Sequence, residues 1–532
     1  MKAYNLWRVS FERRRCTECV ITPISQAKGQ GRKANVLLFK VKLGLAFLFC
    51  KIADLHSKLF FRFDRKNKFL EEKKKMEQKL LNLVATANSY LADYILIFLL
   101  VGVGLYFSIR TKFVQVRCFG YGMKKVFGNI KLRGNKNNSG LSSFQALATA
   151  IAAQVGTGNI VGASGAILVG GPGAIFWMWI IAFLGMATIY AEAVLAQETK
   201  VKDENGEVHG GPVYYIKKAF PNGFGTFLAV FFAIAITLAL GFMGSMVQSN
   251  SIAESCNTAF GVPTWAVGAV VAVVAAVIFI GGIQRIASVT EKLVPIMAVL
   301  FLVGGLVILC LNITKIPETF GMIFKYAFTP NALIGGGIGA ALKKAISQGA
   351  KRGLFSNEAG MGSTPHAHAQ ANVETPHEQG CVAMVGVFID TFVVLTMTAL
   401  VVISTLYAGG SNAWTEVSKT NAMQTAFTTA LPDFFGNFGN IFIAICLLFF
   451  AFSTVISWNF FGKINVQYLF KNNKVAVVIY SVIAIVFIFL GSLASNDLVW
   501  ELTDFFNYLM VIPNAIALIA LGKVVANNSK KK

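Results

Sequence analysis

Ala152–Gly171 reads AAQVGTGNIVGASGAILVGG, an apolar run broken by Gly156, Gly158 and Gly162 and by the polar side chains of Thr157 and Asn159. A second interrupted run, ALIGGGIGAALKKAI, covers Ala332–Ile346. A break in a membrane helix frees backbone N–H and C=O groups that lipid cannot satisfy, so it is tolerated only where it lines a polar cavity. Glycine-interrupted segments at matching places in two halves of a chain mark a transporter's mid-membrane binding site. The plainer reading is close helix packing, since Gly158 and Gly162 have the spacing that lets backbones approach. Gly-Thr-Gly-Asn argues against packing alone. A hydroxyl, an amide and the preceding Gln154 amide cost free energy within lipid unless they are used. Half-helix N-termini there attract a carboxylate, and freed carbonyls attract a cation and an ammonium. Neither segment has Asp or Glu at its interruption, which favours a monovalent hard cation, sodium, over a titrating proton relay.

The 532 residues are 55% hydrophobic and 14% charged, with mean hydropathy +0.61, well beyond an ordinary soluble domain. Apolar runs long enough to cross a hydrocarbon core recur from Tyr90 to Val525, and they number about eleven. The expected fold is therefore an all-α membrane protein. One peripheral helix (90–107) precedes ten core helices, five in a first half (143–312) and five in a second (332–522). Five is odd, so the halves cross in opposite directions and form an inverted repeat, with an interrupted helix opening each.

The net charge of +23 is not a nucleic-acid signal. Residues 1–75 alone contribute +13. Much of the remainder lies in loops on one face, beginning with Arg110–Lys136, which holds eight Lys/Arg and no acid. That bias places those loops, and the C-terminus, in the cytoplasm of a cell that inserts the chain in its inner membrane. Lys343, Lys344, Lys351 and Arg352 are assigned to the same inside face. The segment 1–75 is read as a disordered tail or as translated upstream sequence. In the second case Met76, after Glu-Glu-Lys-Lys-Lys, is the start of a transporter domain covering 76–532.

A third polar patch lies in FFAFSTVISWNFFG (Phe449–Gly462), where Ser453 and Thr454 share a helix face with the carbonyl of Phe450. These are three hard-oxygen sources of the kind sodium needs, although hydroxyl bonding back to the helix gives the same pattern. His366, His368 and His377 occur with Glu358, Glu374 and Glu378 in one stretch, which is read as an inner-gate segment rather than a metal site. Glu192 and Asp390 stand within apolar helices; Glu192, near the cytoplasmic end, is expected to snorkel or to join a structural pair, and Asp390 is left open. The cysteines read as packing residues. No catalytic constellation supports an enzyme, and no filter sequence or charged ring supports a channel.

GTGNIVG (Gly156–Gly162), GGPVYYIKKAF (Gly210–Phe220) and RGLFSNEAGMGSTPHAHAQA (Arg352–Ala371), in this order, resemble the alanine or glycine:cation symporter family from about Met76 to the C-terminus. The resemblance implies the inverted-repeat fold of leucine-type neurotransmitter:sodium symporters, sodium as coupling ion, no other cofactor, and a small neutral amino acid as substrate. A larger neutral amino acid or a nucleobase on the same fold is the alternative. It further implies sodium ligands at the carbonyls of Ala152, Val155 and Phe450 and the hydroxyls of Ser453 and Thr454, with Asn159 a candidate ligand for a second sodium. Substrate would lie at Thr157, Gly158 and Asn159, approached by Gly335, Gly336 and Gly337, with Gln154 and Trp458 as pocket walls.

Overall fold

A computed structural model describes residues 75–128, 141–202, 207–280, 282–329, 338–411 and 413–530. The chain divides into a unit ending at Leu80 and a second unit, Leu81–Lys532, which holds every element from Leu91 onward. Nearly all of the basic N-terminal segment lies outside the described residues.

After a π-helical turn at Leu91–Leu96 come α1 (Ile97–Arg110) and the short α2 (Phe119–Phe127). The first core helix is α3 (Ser143–Gln154), a π-turn (Gly158–Gly162) and α4 (Ala163–Gly170), whose two parts are bent by 44°. Its start is fixed by a capping box between Ser142 and Gln145. Then come α5 (Ala174–Thr199), a two-stranded hairpin (Val201–Lys202 with Val208–His209) and α6 (Pro212–Ala219). A π-turn (Thr237–Gly244) joins α7 (Gly223–Ile236) to α8 (Ser245–Phe260). The first half closes with α9 (Thr264–Ile280) and α10 (Gly282–Leu311). Beyond them lie α11 (Ile316–Phe328), α12 (Ile338–Asn357) and α13 (Pro365–Ala369). Next, α14 (Pro376–Val387) and α15 (Thr396–Leu406) are joined by the π-turn Phe388–Leu395. The last long helices are α16 (Ala422–Ala430), α17 (Phe438–Leu469), α18 (Lys474–Gly491) and α19 (Asn496–Ala520).

Among the described residues, eight helices are long and apolar enough to cross a membrane, or nine with the bent pair counted as one span. Of the other expected spans, α9 has 17 residues and α12 carries Lys343, Lys344, Lys351 and Arg352. Burial sorts the helices into layers. The most apolar stretch of α5 is 72% buried and that of α17 67%, against 28% for α10 and 22% for α18. The outer helices expose Val299, Val303 and Leu306, and Val475, Val478 and Val482, at helical spacing. Such contiguous apolar faces are untenable in water and natural against hydrocarbon.

The side assigned to Lys343 and Lys351 is corrected. Lys343 Nζ lies 3.1 Å and Lys351 Nζ 4.0 Å from the carboxylate of Asp93, and Ser347 donates to it at 2.6 Å. Asp93 precedes α1, whose far end carries Arg110 and the basic loop. Arg352 in turn pairs with Asp504 of α19 at 3.0 Å. Lys343 and Lys351 thus sit at the end of the bundle opposite the Arg110 loop. They and Arg352 answer carboxylates of other helices, whereas the charge-bias rule counts loop residues only.

Candidate functional site

The first break begins where Val155 leaves helical geometry (φ −79°, ψ 85°). The amides it frees are met locally: Gly156 N–H is shared between the Gln154 carbonyl (3.0 Å) and Asn159 Oδ1 (3.1 Å), and Thr157 N–H reaches Gln248 Oε1 at 3.2 Å. Glycine is required at 156 by contact. A Cβ there would lie 2.4 Å from Thr454 Oγ1, so only a bare backbone lets α17 approach this closely.

A second irregular stretch lies further along the chain than the expected one, which falls outside the described residues. Gly335, Gly336 and Gly337 lie outside the described residues, and from Ile338 the helix runs unbroken to Asn357. The chain then turns irregular from Glu358 to Thr364, with left-handed backbone at Glu358, Gly360 and Gly362. All of residues 358–371 are buried, so the segment read as an inner-gate loop is interior backbone. Its polar groups are served by side chains. Glu192 accepts from Gly360 N–H at 3.1 Å and Gly362 N–H at 2.9 Å, while Asn514 donates to the Gly360 carbonyl and to Glu192 at 2.9 and 2.7 Å. Tyr215 donates to the Asn514 Oδ1. Glu192 is accordingly in a structural pair, as expected, but its partner is a broken backbone rather than a cation.

The breaks face each other. Gln154 Nε2 donates to the Asn357 carbonyl at 2.7 Å, and a Cβ on Gly158 would fall 3.0 Å from Ser356 Cα. Glu358, at the second break and fully buried, accepts from Trp458 Nε1 at 2.6 Å and from Ser363 Oγ. Glu358 thus places a carboxylate at this irregular stretch, beyond the two interrupted segments read from the sequence.

Four of the five expected cation ligands converge across the first break. Thr454 Oγ1 lies 2.9 Å from the Ala152 carbonyl, 3.3 Å from that of Ala153 and 3.1 Å from that of Phe450. Ser453 Oγ lies 3.3 Å from the Ala152 carbonyl and 2.8 Å from that of Phe450. All are buried. Val155 sits at the break itself, and Ala153 is a neighbour that sequence reading missed. Uncharged oxygens from two elements in a dry interior suit an alkali cation, whose charge makes the desolvation of each oxygen worthwhile.

Asn159 turns away from this cluster. Its amide nitrogen donates to Asp390 Oδ1 at 2.7 Å and to the Asp390 carbonyl at 3.1 Å. Asp390 also accepts from Ser356 Oγ at 2.9 Å and Thr391 Oγ1 at 2.8 Å, so one carboxylate ties the first break to the end of α12 and to the π-turn before α15. Three buried polar atoms around the first break, Gln154 Oε1, Thr157 Oγ1 and Gln248 Nε2, have no protein partner among the described residues. Each would cost about 1–3 kcal/mol if left dry and unpaired, which marks this spot as one for a polar ligand. Gln248 and Asp390 complete the site and carried one readable signal, a polar side chain within an apolar helix.

Successive turns of the first core helix lead outward from the break through stacked barriers. Gly158 abuts Phe355, Gly162 abuts Trp500 and Arg352, and Gly165 abuts Lys419. Trp500 lies against the Arg352 guanidinium (4.6 Å) and the Lys419 ammonium (5.6 Å), and its ring centroid is 4.7 Å from that of Phe355. Lys419 pairs with Asp497 at 2.8 Å, and both line a cavity of about 660 Å³. Deeper in, Phe355 packs edge-on to Trp458.

The histidines do not form one site. His366 is held by the Ser363 carbonyl and Asn465, His368 by Gln379, and His377 by Tyr190.

Known proteins share both the sequence and the fold that carry this geometry. Residues 77–531 match the sodium:alanine symporter family. The sodium/alanine symporter AgcS of Methanococcus maripaludis is 41% identical over 453 residues, which cover 84% of this chain and 96% of that protein. The probable sodium/glutamine symporter GlnT of Bacillus subtilis is 39% identical over 452 residues, covering 85% of this chain and 90% of GlnT. Among solved structures, MhsT in complex with L-phenylalanine has a TM-score of 0.53 at 15% identity, covering 74% of this chain and all of that one. The fold is thus, apart from one short hairpin, the helical inverted-repeat transporter fold expected from the sequence.

Proposed function

The chain belongs to the sodium:alanine symporter family, an integral-membrane family of transporters and not of enzymes, and from that premise we propose sodium-driven uptake of small neutral amino acids, alanine or glycine, by alternating access. The observation that carries the reading is the convergence of the Ala152 and Phe450 carbonyls on Ser453 and Thr454. In this reading the two hydroxyls turn their lone pairs to sodium, joined by the carbonyls of Ala152, Val155 and Phe450. The carboxylate of the substrate takes the amides of Thr157 and Gly158, where Gln154 and Gln248 present unpaired polar atoms. Trp458 walls the pocket, and Gly335, Gly336 and Gly337, outside the described residues, are proposed as further substrate contacts. Asn159 braces the break through Asp390 rather than holding a second ion.

Sodium has a reason to couple to substrate. Its carbonyl ligands flank the residues whose amides hold the carboxylate, so ordering the break for one ligand strengthens binding of the other, reciprocally. The layers at Phe355, Trp500 with Arg352–Asp504, and Lys419–Asp497 close the path to the cavity beyond them. Opening them, and separately the opposite side, gives alternating access. The chain sits in the inner membrane with its C-terminus in the cytoplasm.

A second reading, a larger neutral amino acid such as glutamine, is favoured by the likeness to GlnT. Radiolabelled alanine uptake into proteoliposomes decides. Concentrative uptake with an inward sodium gradient, absent with an equal potassium gradient and needing more sodium in Thr454→Ala, supports the proposal. Sodium-driven uptake of glutamine but not alanine establishes the second reading, and no sodium dependence rejects both.

A further inference from the structure

Where α2 meets the start of α14, a cluster lies outside everything invoked for transport. Cys118 precedes α2, and His377 and Cys381 stand four residues apart on one face of α14. Their ligand atoms all lie within 4.8 Å of one another. His377 Nε2 is 3.5 Å from Cys381 Sγ, while its other nitrogen, Nδ1, is held by the Tyr190 hydroxyl of α5 at 2.7 Å. Tyr121 stacks on the far face of the imidazole. The ring is therefore fixed with one nitrogen facing the sulfurs.

We propose that Cys118, His377 and Cys381 form a binding site for a thiophilic divalent cation of the zinc(II) class, with water as fourth ligand. The 3.5 Å between His377 Nε2 and Cys381 Sγ agrees with such a centre. Tetrahedral zinc with bonds of about 2.3 Å to sulfur and 2.0–2.1 Å to nitrogen separates sulfur from nitrogen by about 3.6 Å and sulfur from sulfur by about 3.8 Å. Tyr190 supplies the outer hydrogen bond that a metal-bound imidazole normally makes, fixing its tautomer. On binding, each thiol gives its proton to solvent as its sulfur–metal bond forms, with no change of oxidation state. Cys118 and His377 retain 8% and 5% of their surface, a route for the ion. The bound cation would clamp the segment following the peripheral helix to α14, on whose Cys381 carbonyl Gly122 of α2 already packs.

The full chain, reduced and stripped by a chelator, is titrated with cadmium(II), read by ultraviolet thiolate-to-metal absorption, and with zinc(II), read by calorimetry. One ion per chain with thiolate absorption is expected. Affinity should fall at least tenfold in Cys118→Ser/Cys381→Ser and in His377→Gln, and 10–100-fold in Tyr190→Phe, but not in Cys446→Ser. Absence of thiolate absorption in the unaltered chain, or equal binding in the double variant, overturns the proposal. Should the double variant fail to fold, maleimide labelling of Cys118 in the unaltered chain decides. Protection by zinc supports the site, and an unchanged labelling rate overturns it.

Discussion

Gln154 reaches across the bundle to the carbonyl of Asn357 at 2.7 Å, joining the last helical residue before the first break to the last before the second. Two irregular stretches about 200 residues apart in the chain thereby become one polar site, held by side chains that would be expensive to bury anywhere else.

Thr454 is the most exposed test of the cation site. Its Oγ1 touches three carbonyls from two elements. Thr454→Ala removes one ligand and should raise the sodium concentration for half-maximal uptake on the order of tenfold, or about 1.4 kcal/mol. Thr454→Ser, which keeps the oxygen, should restore most of it. Uptake measured against sodium concentration at saturating alanine checks this; a Thr454→Ala curve unchanged in midpoint removes Thr454 from the site.

Gly156→Ala should be damaging for a steric reason alone. The added methyl lands 2.4 Å from Thr454 Oγ1, and overpacking of this kind costs about 1–3 kcal/mol. The matched control is Gly102→Ala in α1, where nothing lies within 4 Å. Thermal unfolding in detergent should show a lowered midpoint for the first and none for the second.

Glu192→Gln tests what holds the second break. The carboxylate accepts from Gly360, Gly362 and Asn514 at once, and an amide can replace only one of its two oxygens as acceptor. One buried N–H is left facing another donor, at about 1–3 kcal/mol. Reduced uptake with a lowered unfolding midpoint is expected. Unimpaired stability and uptake would mean the break is ordered by other groups.

His366 and His368 in α13, outside the spans, set a pH dependence. Burial pushes His366 down to about 4 and His368 to about 3, so the folded chain holds both neutral while an unfolded chain protonates them near 6.5. The unfolded state therefore binds more protons as pH falls below about 6.5. Stability is full above that pH and declines toward 4. His366→Gln should flatten the decline, measured as unfolding midpoint against pH.

Much of this was legible in the residues. Apolar runs located the helices, and Gly-Thr-Gly-Asn located the first break, because glycine and polar groups within lipid have few other uses. The irregular stretch Glu358–Thr364 was not read from the residues, because two glycines with left-handed backbone make it and a distant Glu192 satisfies it.

What the sequence by itself determined is local: which segments prefer lipid, where one helix must open, and which side chains are too polar to be idle. Only the tertiary structure decided what those side chains answer. Asp390 became the partner of Asn159, and Arg352, counted as a loop charge, became the partner of Asp504. The reason is physical: in a low-dielectric interior a polar group's worth is set by what stands within about 3 Å, and that neighbour comes from another helix, tens or hundreds of residues away.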